Sequence, residues 1–100
     1  MDTDIFVRCA IESFLRYIDI ETQSELLFLY QISPGHMFDI FVDWIKADLT
    51  NLDRLVTTYK SLIDHLQGVY DREEVIEIIL ETALSDILFY KEKSARYRSS

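Results

Sequence analysis

The chain reads as all-α, a small bundle of four to five helices with up-and-down connections and a long C-terminal helix. Three observations lead there. Apolar residues recur at three- and four-residue spacing through most of the 100 residues, which is the period of amphipathic helices and not of strands. Only two Gly and one Pro are present, enough for a few short loops but too little turn material for a many-stranded sheet. The segments also open on helix-capping residues: Ser33 before Pro34, Thr50 with Asp53, and Asp71 with Glu74. A hydrophobic content of 49% suffices for one core, so residues 1–98 are expected to form a single domain.

The first helix is expected over 3–18. Asp2, Thr3 and Asp4 can each cap it, and Val7, Ile11, Phe14, Leu15 and Ile18 form its inner face. Asp4, Arg8, Glu12 and Arg16 alternate in charge at four-residue spacing on another side. Such a ladder contributes a few tenths of a kcal/mol per pair and marks a solvated face. Ile5 and Phe6 fall beside the main stripe, so they are expected to stay partly exposed or to meet a second chain. A second helix is placed over 21–31. Its run Leu26 to Tyr30 is apolar without a break, which fits a strand or a buried helix. Glu21, Gln23 and Glu25 are poor strand formers and favour the helix.

Ser33 and Pro34 then open a helix over 34–47, because the missing N–H of Pro costs nothing at the first helical position. Met37, Ile40, Phe41, Trp44 and Ile45 point inward from it, with Asp39, Asp43 and Lys46 opposite. The next helix, 51–67, carries Leu52, Leu55, Val56, Tyr59, Leu62, Ile63 and Leu66 on its apolar side. Gly68 supplies a left-handed C-cap. Only Val69 and Tyr70 precede Asp71, so this helix and the last should form a tight antiparallel hairpin. In it, Leu55, Tyr59, Leu62 and Ile63 are set against Ile76, Ile79, Ala83 and Ile87.

The last helix is expected over 72–96, opened by the Asp71–Glu74 capping box. Val75, Ile76, Ile79, Leu80, Ala83, Leu84, Ile87 and Tyr90 recur along it, and Ile78, Leu88 and Phe89 widen the stripe. A helix apolar around so much of its circumference needs neighbours on several sides. At 1.5 Å per residue it would be roughly 40 Å long, one to two turns beyond the others. Phe89, Tyr90 and Tyr97 on that overhang would lack partners in their own chain. Together with Ile5 and Phe6 they are predicted to form a homodimer interface. Lys91, Lys93, Arg96 and Arg98 make a basic, polar end.

The net charge of −8 opposes binding to a nucleic-acid backbone, which selects clustered Lys and Arg. The single Cys9 has no partner in the chain, which points to a reduced, cytoplasmic setting and to a small buried apolar residue. No apolar run is long enough for a membrane span. Neither His36 nor His65 has an acid three residues upstream, so a di-metal carboxylate site is not expected, and zinc ligands are too few. Glu73, Glu77 and Glu81 line one side of the last helix and read as a solvated face. Asp64 and His65 are adjacent and so point in different directions on a helix. No phosphate-binding Gly loop or nucleophile elbow occurs. The domain therefore reads as noncatalytic, with no metal or cofactor.

The run from Leu52 through Asp53, Arg54, Leu55, Val56, Thr57, Thr58, Tyr59 and Lys60 to Asp64, His65 and Leu66 resembles a known helix. It belongs to the family formed by the N-terminal domain of the stress-response phosphatase RsbU and the C-terminal domain of the circadian protein KaiA. Glu73 to Tyr97 is similar to the helix that follows in both, and Leu15, Arg16, Tyr17 and Ile18 to the end of the first RsbU helix. Tyr59 stands where the family often has His, and Thr58 where it has an aliphatic residue. The resemblance implies a four- or five-helix bundle that forms a homodimer and binds another regulatory protein. That partner is an activator in RsbU-like proteins and a kinase tail in KaiA-like ones. On this reading Tyr59, Lys60 and Asp64 border the partner site. The chain is then a docking domain of a bacterial regulatory pathway, either standing alone or belonging to a phosphatase whose catalytic domain lies outside these residues. Composition offers an alternative: a small acidic inhibitor, of viral or toxin-immunity type, that masks a basic target surface.

Overall fold

The computed structural model describes the backbone of residues 2–90 and the side chains from Ile5 onward. Six helices and no strand occur among the described residues: α1 (Asp2–Tyr17), α2 (Gln23–Ile32), α3 (Pro34–Ala47), α4 (Leu49–Thr58), α5 (Lys60–Gln67) and α6 (Arg72–Leu88). The all-α expectation holds. As the width of its apolar stripe demands, α6 has several neighbours, packing against α1, α2, α3 and α5. Val75, Ile79, Ala83 and Ile87 form one buried row on it, and Leu84 and Leu88 a second.

An aromatic cluster joins α1 to α3. Phe14 lies 5.8 Å from Phe41 and 5.2 Å from Trp44, ring centre to ring centre, and Phe41 lies 5.7 Å from Trp44. These are separations at which aromatic pairs attract beyond simple area burial. Trp44 also carries the polar links out of the cluster. Its indole N–H donates to Ser13 Oγ at 3.3 Å, and its carbonyl accepts from the buried Asn51 Nδ2 at 3.4 Å. The second bond satisfies a buried amide and ties α3 to α4.

Two helices differ from the expected spans. The stretch 51–67 is broken at Tyr59, whose φ of −102° and ψ of 21° leave the helical region. Tyr59 N still donates to Leu55 O at 3.0 Å and Ile63 N to Tyr59 O at 2.8 Å, so the chain bends there without losing either bond. The β-branched run Val56, Thr57, Thr58 weakens the helix just before the bend. Burial then fixes it: the Tyr59 ring meets Phe6 edge-on at 6.1 Å, and its hydroxyl donates to Asp86 Oδ2 on α6.

The second difference is at the end of α6. The helix ends at Leu88, with Phe89 as its C-cap at φ −107°, so the helix expected over 72–96 is interrupted at Phe89; the overhang expected beyond Tyr90 lies outside the described residues. The Leu88 carbonyl, an acceptor freed by the helix ending, takes the Gln23 Nε2 donor at 3.1 Å. Phe89 turns onto Tyr30, edge-on at 6.2 Å. Residues 91–96, with Lys91, Lys93 and Arg96, lie outside the described residues, as do Tyr97 and Arg98.

The caps show where local chemistry rules. Thr22 Oγ1 accepts from Glu25 N at 3.2 Å and opens α2. Asp71 Oδ1 accepts from Glu74 N at 2.9 Å and opens α6 as expected. Ser33 occupies the N-cap position before Pro34 but makes no side-chain cap bond. Asp48, and not Thr50, opens α4, with Thr50 N donating to its Oδ1 at 3.0 Å. Asp48 is extended, at φ −143°, as an N-cap residue should be.

The left-handed C-cap also falls elsewhere than expected. Gly68 is right-handed, at φ −80°, whereas Asp19 has φ 58°. Ile20 N donates to Leu15 O at 2.9 Å and Asp19 N to Arg16 O at 3.3 Å, the paired bonds of a Schellman ending on α1. Asp tolerates the left-handed region better than most residues but not as freely as Gly.

Burial corrects several side-chain placements. Ile76 is 50% exposed, so it takes no part in the hairpin contact, and Leu52 and Val56 are likewise exposed. Cys9 is exposed and does not serve as core filling.

Three outcomes follow from this packing. Ile79→Ala should cost about 2–5 kcal/mol in urea unfolding, against less than about 1 kcal/mol for Ile76→Ala. Asp19→Gly should raise stability by about 0.5–1 kcal/mol by removing left-handed strain. Gly68→Ala should also stabilise, by several tenths of a kcal/mol, since a Cβ there meets only His65 O at 3.7 Å.

A fourth outcome concerns pH. Burial foremost, then the hydrogen bond to Asp86 and its charge, raise the Tyr59 phenol well above its ordinary value. A group raised on folding stabilises fully below its unfolded pKa of about 10 and loses that contribution as pH rises beyond it. Tyr59→Phe should therefore cost about 1 kcal/mol near neutrality. The difference from wild type should shrink by about 1.4 kcal/mol per pH unit above about pH 10. A pH-independent difference would show that Tyr59 ionises freely.

Candidate docking surfaces

Residues from three helices line an open groove of about 740 Å³. The first turns of α3 contribute Pro34, Gly35, Phe38 and Asp39, the middle of α6 contributes Glu77, Glu81, Leu84 and Ser85, and α2 contributes Tyr30. The spacing of these residues explains their convergence. Glu77, Glu81 and Leu84 share one side of α6, next to the buried row that holds the helix in place. Phe38 and Asp39 lie one turn beyond Pro34. Gly35 presents no side chain to fill the opening, and a Cβ there would meet nothing within 4 Å.

The groove divides by chemistry. Tyr30, Phe38 and Leu84 are half-buried or buried and supply apolar surface, while Asp39, Glu77 and Glu81 are exposed. Among the described residues, no Lys or Arg lines the groove. The Tyr30 ring also meets Phe89 edge-on at 6.2 Å. Such a site can bury an apolar side chain while pairing a neighbouring cation with carboxylate. Glu77 and Glu81 are therefore more than a uniformly solvated face, whereas Glu73 lies outside the groove.

The residues predicted for a partner site do not converge there. Lys60 and Asp64 are exposed on α5, but Tyr59 is buried against Phe6. Neither these three nor any described residue predicted for the dimer interface lines the groove. Of that interface, Ile5 is exposed but Phe6 is buried in its own chain. Phe6 shares the buried face of α1 with Val7, Ala10 and Phe14, where the Tyr59 ring meets it edge-on. Phe89 and Tyr90 are half-buried, and Tyr97 lies outside the described residues. Asp39 and the α6 acids are about forty positions apart in sequence, so no local pattern could pair them. The alternation of Glu77 and Glu81 beside Leu84 was the only available signal.

A smaller hollow of about 370 Å³ is lined by Ile5, Phe6 and Cys9 of α1 and by Asp53, Arg54, Thr57 and Thr58 of α4. It mixes both charge signs and lacks the groove's division of labour. Among the described residues, no three His, Cys, Asp or Glu side chains are placed to hold a metal ion, and no helix is long and apolar enough to cross a membrane. Two helices also present apolar residues to solvent: Phe28, Leu29 and Ile32 on α2, and Leu49, Leu52 and Val56 on α4.

Comparison with models of known families, with curated proteins and with solved structures finds no match to this chain.

Proposed function

We propose that the chain is a protein-docking domain that receives a short basic, amphipathic segment of a partner protein in the groove lined by α2, α3 and α6. The observation that carries this reading is the division of the groove into an apolar part, Tyr30, Phe38 and Leu84, and an acidic part, Asp39, Glu77 and Glu81. Apolar anchors supply affinity in such grooves, and charge complementarity supplies on-rate and selects the partner. A regulatory partner, activator or kinase-like, is what the resemblance to RsbU- and KaiA-type domains implies. It would be engaged through one exposed segment and not across a broad face.

The acidic-inhibitor reading draws on a different observation, the net charge of −8 carried by the chain as a whole. There the acids act collectively, and no pair of them matters much more than another.

The two readings separate in one titration. An amphipathic peptide of alternating Lys and Leu, added to labelled protein, should shift the amide resonances of Phe38, Asp39, Glu77 and Leu84 first. Glu77→Lys with Glu81→Lys should weaken binding at least about tenfold, the loss of roughly 1.4 kcal/mol. Glu73→Lys on the same helix should leave it nearly unchanged. Equal losses from all three positions, with shifts spread over the acidic surface, would overturn the groove and favour collective masking.

A further inference from the structure

The chain is 28% charged, yet the thirteen residues from Leu26 to Phe38 include no Asp, Glu, Lys or Arg. They span most of α2 and the first turn of α3. Inward, Leu26 is fully buried, and Leu27 and Tyr30 pack against the core. Outward, Phe28 is 60% exposed, Ile32 64% and Leu29 41%. Positions 28, 29 and 32 share one stripe of a helix, on the side away from Leu26 and Tyr30. A helix apolar on opposite sides is normally covered on both, and among the described residues α2 is covered on one.

We infer that this outer face of α2 is the contact between two copies of the chain. Charge selects the occupant. Two molecules that each carry −8 repel wherever acids are brought together, and this face is a place where they can meet without doing so. A basic partner would gain nothing here, because α2 holds only Glu25. The stripe is also self-complementary. A two-fold axis across α2 runs the helices antiparallel and sets Phe28 of one copy toward Ile32 of the other. It also moves the Glu25 end of each copy toward the 32–36 end of its partner, where His36 stands and no acid does, whereas a parallel arrangement would oppose the two Glu25 carboxylates.

The three side chains offer on the order of 300 Å² of apolar surface per copy, below the roughly 800 Å² of a standard interface. The pairing is accordingly weak and reversible. It differs in place from the groove, so one can fail without the other.

The test is sedimentation equilibrium of the whole chain from about 5 to about 500 μM, at about 0.05 M and about 0.5 M NaCl. A dimer should form in the upper part of that range and tighten severalfold with salt, because screening removes the repulsion between acidic copies. Binding of a basic segment in the groove should weaken with salt instead. Phe28→Asp with Ile32→Asp should abolish the dimer while circular dichroism shows an unchanged helical content, as both side chains project into solvent. Val56→Asp, on the exposed stripe of α4, should leave it intact. A monomer throughout at high salt would overturn the inference. So would a dimer that survives the α2 pair of substitutions, or one lost only with Val56→Asp.

Discussion

Burial of α6 on two adjoining sides is the constraint on which the other packing depends. A helix whose rows Val75, Ile79, Ala83, Ile87 and Leu84, Leu88 must both leave water cannot be served by a single neighbour. It collects α1, α2, α3 and α5 around it, and those helices then complete one another through Phe14, Phe41 and Trp44. Trp44 does more than fill space. Its indole N–H and its carbonyl reach Ser13 and Asn51, so the cluster that excludes water also sets how α1, α3 and α4 meet.

The two places where helices bend or stop are held by groups far away in sequence. Tyr59 bends the chain between α4 and α5, and Phe6 and Asp86 hold it there. Leu88 ends α6, and Gln23 takes the carbonyl left free. In both cases an unfavourable local event is offset by a hydrogen bond or ring contact from another helix. Neither bond requires Gly or Pro.

The surface follows from the same economy of faces. With two sides of α6 inside, the acids at Glu77 and Glu81 fall on the flank beside α3, where Phe38 and Tyr30 supply apolar surface. The outer side of α2 has the reverse composition, apolar without charge. One chain thus offers a surface that attracts cations and another that tolerates its own kind. Ionic strength should act on them in opposite directions, since screening weakens attraction between unlike charges and repulsion between like ones.

The sequence by itself determined what local period and local chemistry can encode. The 3.6-residue recurrence fixed the all-α class and the inner face of α3, but on α1 it missed Phe6 and Ala10, which are buried with Val7 and Phe14. The carboxylate of Asp71 three residues before Glu74 fixed the start of α6, because a cap bonds within its own turn. The exposed Phe28 and Leu29 were visible within the unbroken apolar run Leu26 to Tyr30, though not which side of it would be left uncovered. Only the tertiary structure decided the rest. Nothing local forbids an unbroken helix through Tyr59 or Phe89, and both breaks fall where side chains from other helices make contact. Gly68 looked the natural left-handed cap, but Asp19 took that role, held by the bond from Asp19 N to Arg16 O and that from Ile20 N to Leu15 O. The groove lay out of reach of sequence for the same reason: Asp39 and Glu81 become neighbours only when α3 and α6 pack, and the energy that packs them resides in buried apolar residues and not in the acids themselves.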